Sequence, residues 1–309
     1  MNKLVLLTGF LGAGKTTFLN QILTEFSDSR VGLIVNEFSE TGVDGALIRR
    51  DIPNSTMREL NNGSIFCACI KDSFVDSLIE MGRMGLEYVF VEASGLADPS
   101  SILSILEQIR TLSCVTYDYQ GSICLVDAQH FINHVKVLVA LRRQVTHSRV
   151  VVMNKIDLVD QETLEKTVNA IREINPEIPI YPTSYAQISL RSLLSESGAT
   201  AAHAPQETTN TESTRPTTVT LSTDEVVDTA ALRKFLELLG PVTYRVKGFC
   251  RTADGAKSVS MVGTTCQISD WADPVEKTQL VLISSVGVRI FSEALSAAKC
   301  CFQKAVNLK

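Results

Sequence analysis

The octapeptide Gly9-Phe10-Leu11-Gly12-Ala13-Gly14-Lys15-Thr16 constrains this chain more than any other stretch, because it follows the apolar run Leu4-Val5-Leu6-Leu7 and opens a segment of helical spacing. Strand, glycine-rich loop, helix is the context in which this spacing reads as a phosphate cradle. Glycines let the backbone wrap an anion with several N–H groups turned inward, at the positive end of the following helix. Gly9, Gly12, Ala13, Gly14, Thr16 and Thr17 are therefore expected to line a phosphate. Lys15 is expected to neutralise its outer groups and assist their transfer, and the Thr16 hydroxyl to ligate Mg²⁺.

Beyond the loop, short Val/Ile/Leu-rich runs alternate with longer segments of helical period, which predicts a doubly wound, mostly parallel α/β sheet with helices on both faces. Strands are expected at 3–8, 31–36, 88–92, 122–127, 150–154 and 178–181, and helices at 14–26, 72–81, 100–109 and 161–174. Residues 197–216 contain no Val, Ile, Leu, Met or aromatic residue, so nothing there can anchor a packed element. This stretch is read as a linker between a P-loop domain over 1–196 and a smaller α+β domain over 217–309. In the latter, strands at 217–221, 242–250, 258–268 and 279–283 follow one another closely enough for an antiparallel sheet, with helices at 229–239 and 288–302.

A formal charge of −5 gives no general attraction to nucleic acid or anionic lipid, so any anion must be held locally. No apolar run reaches the length of a membrane span. Eight cysteines among 309 residues are too sparse for a disulfide framework. Together with a nucleoside triphosphate site, they suit free thiols in a reducing cytoplasm.

Asn154-Lys155-Ile156-Asp157 follows the buried run Val150-Val151-Val152-Met153, which places it at the carboxyl end of a strand, where a base-reading loop belongs. A carboxylate only accepts, so Asp157 can take hydrogen bonds from N1–H and the 2-amino group of guanine, whereas adenine offers an acceptor at N1 and lacks the amino group. The segment Thr183-Ser184-Tyr185, after the next strand, is expected to offer backbone N–H groups to the guanine O6. Glu92 ends the apolar run Tyr88-Val89-Phe90-Val91, the position from which Mg²⁺ or its water is held, and Gly95 can turn its N–H toward the γ phosphate. GTP and GDP are thus the expected ligands.

At this point the chain resembles the CobW-family GTPases, relatives of the HypB, UreG and MeaB proteins that serve metalloenzyme maturation. The matching residues are Gly9 to Thr17, Asn36-Glu37-Phe38 through Gly42-Val43-Asp44-Gly45, Glu59 to Gly63, Glu92 to Pro99, Gln144 and Asn154 to Leu158. Arg245-Val246-Lys247-Gly248 resembles the family's carboxyl-terminal domain. The resemblance implies a GTPase whose nucleotide switch moves or gates a metal for a client metalloprotein, with Asp44 in a switch loop serving Mg²⁺ or the attacking water; with no evident arginine finger in cis, unaided hydrolysis is expected to be slow.

Two features depart from the family pattern. Where the family places Cys-x-Cys-Cys, this chain has Ser64-Ile65-Phe66-Cys67-Ala68-Cys69. Cys67 and Cys69 can share a soft or borderline cation such as Zn²⁺ or Co²⁺, but two thiolates do not close a tetrahedral site. The alternatives are two unliganded thiols, and a GTPase chaperone that gates a corrinoid or other metallocofactor enzyme without binding transition metal. Arg149 stands where the family usually has an acid. His130 and His134 are spaced to share a helical face and are read as ordinary surface or packing residues.

Overall fold

Strands apolar on both sides need helices on both sides, and the amino-terminal sheet is built this way. In the computed structural model the chain forms two compact units, Met1–Thr214 and Arg215–Lys309. The structure describes residues 1–36, 55–60, 71–136, 138–196 and 216–309. The expected linker lies outside them apart from Pro216.

Seven parallel strands make the first sheet: β1 (Asn2–Gly9), β2 (Val31–Asn36), β3 (Ser55–Leu60), β4 (Tyr88–Glu92), β5 (Tyr117–Asp127), β6 (Val150–Asn154) and β7 (Ile180–Pro182), in the order β3-β2-β4-β1-β5-β6-β7. Because side chains alternate along a strand, Val5 and Leu7 enter one core with Phe18, Leu19 and Ile22 of α1 (Lys15–Glu25) and Phe26 just after it. Leu4 and Leu6 enter another, with Phe74 and Leu78 of α2 (Lys71–Gly82) and Ile105 and Ile109 of α3 (Ile102–Ser113). The remaining helices among the described residues are α4 (Phe131–Val135), α5 (Val139–Thr146), α6 (Gln161–Ile174) and α7 (Leu190–Glu196). The order reverses around β1, so the carboxyl ends of β4, β1, β5 and β6 line up along one edge, where ligands bind in open α/β sheets.

Several elements differ from the sequence expectation. β3, Ser-Thr-Met-Arg-Glu-Leu, is an edge strand too polar to read as part of a buried sheet, and it was not expected. β5 begins five residues before Ser122, because Gly121, at φ +94°, lets the strand continue through a register shift against β1. The short helices α4, α5 and α7 were also unread, being too brief for a clear helical period.

The second unit is a six-stranded antiparallel sheet, β8 (Thr218–Thr223), β9 (Thr243–Thr252), β10 (Gly255–Val262), β11 (Thr265–Asp270), β12 (Thr278–Ser284) and β13 (Asn307–Leu308), ordered β11-β10-β9-β12-β8-β13. Helices α8 (Thr229–Leu239) and α9 (Ile290–Cys301) pack Leu232, Phe235, Leu236 and Ala294 into its core. The single strand expected at 258–268 is a hairpin instead. Val262 pairs with Thr265 across Gly263, whose φ of +53° is the left-handed conformation a two-residue turn requires.

Phe18 is fully buried between α1 and the sheet. Phe18→Ala is expected to destabilise the amino-terminal unit by about 3–5 kcal/mol, seen as an earlier transition in urea unfolding followed by circular dichroism.

Candidate nucleotide site

β1 ends at Gly9 and α1 begins at Lys15, so residues 10–14 form a loop closing on the helix amino terminus. Gly14 sits at φ +103°, and a Cβ there would stand 2.4 Å from Nδ2 of Asn154. Conformation and close approach both demand glycine. No side chain caps α1 and its first turn carries no acid, so its leading amides and dipole face the loop uncompensated by either. Lys15, only 6% exposed, arches back so that Nζ donates to the carbonyls of Gly9 at 2.8 Å and Phe10 at 3.1 Å. Thr16 is half-buried and Thr17 exposed.

Glu92, at the end of β4, lies beside Leu7 of β1, and its Oε1 accepts a hydrogen bond from the Thr16 hydroxyl at 3.1 Å. A hydroxyl and a carboxylate this close form a hard-oxygen pair of the kind Mg²⁺ takes and soft metals do not. The residues therefore fit the expected ion. The turn after β4 rests directly on the loop, since a Cβ on Gly95 would lie 2.6 Å from the Leu11 nitrogen. Two buried amides hold this turn. Gln144 donates to the carbonyls of Gly95 and Ala97 at 3.2 and 3.0 Å, and Asn36 donates to Leu60 and accepts from the Ser94 N–H.

Asn154 joins the two halves of the site. Its Nδ2 donates to the Ala13 carbonyl at 2.9 Å and its Oδ1 accepts from the Ala186 N–H at 2.8 Å. The phosphate loop is thereby tied to the segment after β7, which α1 also braces: Gln21 donates to the Tyr185 carbonyl, and Glu25 accepts from Ser189 Oγ and the N–H groups of Leu190 and Arg191. Ser184 is half-buried in this segment. Lys155 has φ +64° and leads into a single 3₁₀ turn, Ile156–Leu158, on which Asp157 is exposed. Asn154 is thus a strut between loops, while Asp157 remains the group open to a base.

Asp127, at the end of β5, was not singled out, although a carboxylate closing the apolar run Ser122-Ile123-Cys124-Leu125-Val126 carries the same signal as Glu92. Its Oδ2 accepts from Lys155 Nζ at 2.8 Å and lies 3.0 Å from His130 Nδ1. Burial favours its neutral form, but hydrogen bonding by His130 and the charge and hydrogen bond of Lys155 outweigh that and hold its carboxyl below the ordinary range. His130 and His134 do share a face, with stacked rings 6.0 Å apart. Arg149 donates to the carbonyls of Gln120 and Leu194, which ties the β5 irregularity to α7. Asp44, Cys67 and Cys69 lie outside the described residues. Among the described residues no group of three His, Cys, Asp or Glu side chains could hold a metal ion, and no helix is long and apolar enough to cross a membrane.

The CobW/HypB/UreG nucleotide-binding domain family matches residues 3–182. The chain belongs to the CobW/HypB/UreG family. The carboxyl-terminal domain of the cobalamin synthesis protein CobW matches residues 217–298. The zinc chaperone YjiA of Escherichia coli is 32% identical over 198 residues, 62% of this chain and 61% of the relative. The zinc-regulated GTPase metalloprotein activator 1 of Saccharomyces cerevisiae is 26% identical over 213 residues, 61% of this chain and 49% of the relative. The match to this CobW-family chain thus spans about half to three-fifths of these curated relatives. Among solved structures, Zn(II)-bound YjiA GTPase from E. coli aligns over 98% of this chain and 100% of its own, with 22% identity and a TM-score of 0.49.

The lowered Asp127 carboxyl makes its pairing pH-dependent. A group whose folded pKa lies below its unfolded value stabilises the fold above the ordinary Asp range and loses that contribution as pH falls through the folded pKa. The stability difference between wild type and Asp127→Asn, measured by urea unfolding, is expected to be present at neutral pH and to shrink below about pH 4.

Proposed function

We propose that this CobW-family chain binds and hydrolyses GTP with Mg²⁺ and uses the nucleotide switch to deliver a transition metal to a client metalloprotein. The observation that carries the reading is Asn154, whose amide joins the phosphate loop at Ala13 to the segment at Ala186. One rigid frame then spans the length from phosphate to base.

In this reading the amides of Gly12 to Thr17 and the Lys15 ammonium hold the β and γ phosphates, and the Gly95 N–H faces the γ group. Thr16 and Glu92 hold Mg²⁺, which when bound offsets the charge on the transferring phosphoryl group. Asp157 accepts from guanine N1–H and the 2-amino group, with backbone N–H groups near Ser184 directed at O6. Asp44 belongs to a switch loop that responds to the γ phosphate. Cys67 and Cys69 carry the cargo metal, and zinc is favoured by the relatives, a zinc chaperone and a zinc-regulated GTPase metalloprotein activator. Residues 1–196 form the nucleotide domain, 197–216 the linker and 217–309 the second domain. A GTP requirement and free thiols suit the cytoplasm.

Two experiments test this. In competition against a fluorescent guanine nucleotide, GTP should outcompete ATP by roughly four orders of magnitude. Asp157→Asn should move the preference toward xanthine nucleotides, whose 2-oxo group suits an amide donor, and equal competition by ATP and GTP refutes base reading. Titration of Zn²⁺ and Co²⁺ into wild type and Cys67→Ser/Cys69→Ser, with GDP and with a slowly hydrolysed GTP analogue, should show one thiolate-dependent site whose affinity changes with the nucleotide. By linkage the metal must change nucleotide affinity by the same factor. If neither protein binds metal in either state, metal delivery is ruled out.

A further inference from the structure

The ammonium of Lys155 is the cation of the base-reading loop, and the structure shows what holds it. Asp127 is the register partner of Asn154 across β5 and β6, so its carboxylate emerges between the phosphate loop and the base loop. Oδ1 accepts from the Gln129 N–H at 2.9 Å, and Oδ2 accepts from Lys155 Nζ at 2.8 Å beside His130 Nδ1 at 3.0 Å. The Asp127 side chain is 5% exposed, while that of Lys155 is 26% exposed. The anchor is thus buried while part of the lysine reaches the surface. Behind the carboxylate, the His130 ring stacks on His134 at 6.0 Å, and His134 lies 4.8 Å from the ring of Phe10 in the phosphate loop.

A buried ion pair is a weak device for stability, since its desolvation offsets most of its attraction. It is an effective device for immobilising a long side chain. Lysine has large rotamer freedom, and a stem ordered before ligand arrives spares the ligand that ordering cost. Its methylenes also present an apolar strip against which a flat ring can lie. Lys155 adopts the left-handed backbone conformation, at φ +64°, which a non-glycine residue keeps only when its surroundings over-determine it.

We infer that Asp127 is a positioning residue of the guanine site: by anchoring the Lys155 ammonium it fixes the lysine stem as one wall of the base pocket. This rests on the GTP reading above and adds a residue that acts on the base alone. Phosphate binding by the loop and α1 does not pass through it.

The test measures affinity of the full chain for a fluorescent GDP analogue and for inorganic tripolyphosphate, by competition, in wild type, Asp127→Asn, Lys155→Met and the double variant. Each single substitution is expected to weaken GDP roughly tenfold, the upper range for immobilising one long side chain. The double variant should be no weaker than Lys155→Met, because both changes remove one interaction. Tripolyphosphate should bind all four alike. GDP affinity unchanged in Asp127→Asn, additive losses in the double variant, or equal weakening of GDP and tripolyphosphate would each overturn the inference while leaving guanine recognition standing. Wild type that binds GDP no better than ADP overturns guanine recognition, and this role of Asp127 with it. Should Asp127→Asn fail to fold, Asp127→Glu keeps the charge and displaces it by one methylene. It should weaken GDP severalfold and spare tripolyphosphate, and unchanged GDP binding in that variant overturns the inference.

Discussion

One buried amide holds the site together. Asn154 has a donor and an acceptor on the same rigid group, and the fold uses each on a different loop, Ala13 on one side and Ala186 on the other. Removing it would orphan a buried carbonyl and a buried N–H at once, at about 1–3 kcal/mol for each group. The same contact explains a backbone requirement far away in sequence. Gly14 must lack a Cβ because the Asn154 amide occupies that space. Loop, helix start and base segment are therefore mutually determined.

Around this amide the site is arranged by charge type. The chain carries a net negative charge, yet the edge where β4, β1, β5 and β6 end combines an uncapped helix amino terminus with Lys15 and Lys155. Each cation is held by oxygen: Lys15 by loop carbonyls, Lys155 by Asp127. Glu92 accepts a hydrogen bond from the Thr16 hydroxyl, which sets two hard oxygens side by side at the end of β4. Such a pair of oxygens is the kind a magnesium ion takes, the role proposed for it.

A second set of residues supports the first without reaching the site. Gln144 satisfies two carbonyls of the turn carrying Gly95, Asn36 links the ends of β2, β3 and β4, and Arg149 closes the irregular start of β5 against α7. Each satisfies backbone groups that irregular chain would otherwise leave unpaired inside the protein. Arg149 thus has a local structural explanation: a long guanidinium reaches two carbonyls from different elements, which a short acid at the same position, having no donors, could not do.

The strand–loop–helix order around Gly9 to Thr16, the strands β2, β4 and β6, and the placing of Glu92 and Asp157 at or just beyond strand ends were legible in the sequence, because each depends on local order: an apolar run, then a short polar motif at its carboxyl end. The two-face burial of the sheet followed from the same runs. The hairpin of β10 and β11 and the polar edge strand β3 were not legible. A left-handed glycine in a continuous alternating pattern and a pairing to one neighbour leave little trace in the order of residues. The partners of Asn154, Asp127 and Gln144 lay further out of reach. A sequence shows which residues can donate and accept, but the choice of partner depends on which strand ends stand side by side. Asp127 meets Lys155 only because β5 lies between β1 and β6, and that order was decided by packing across the whole sheet.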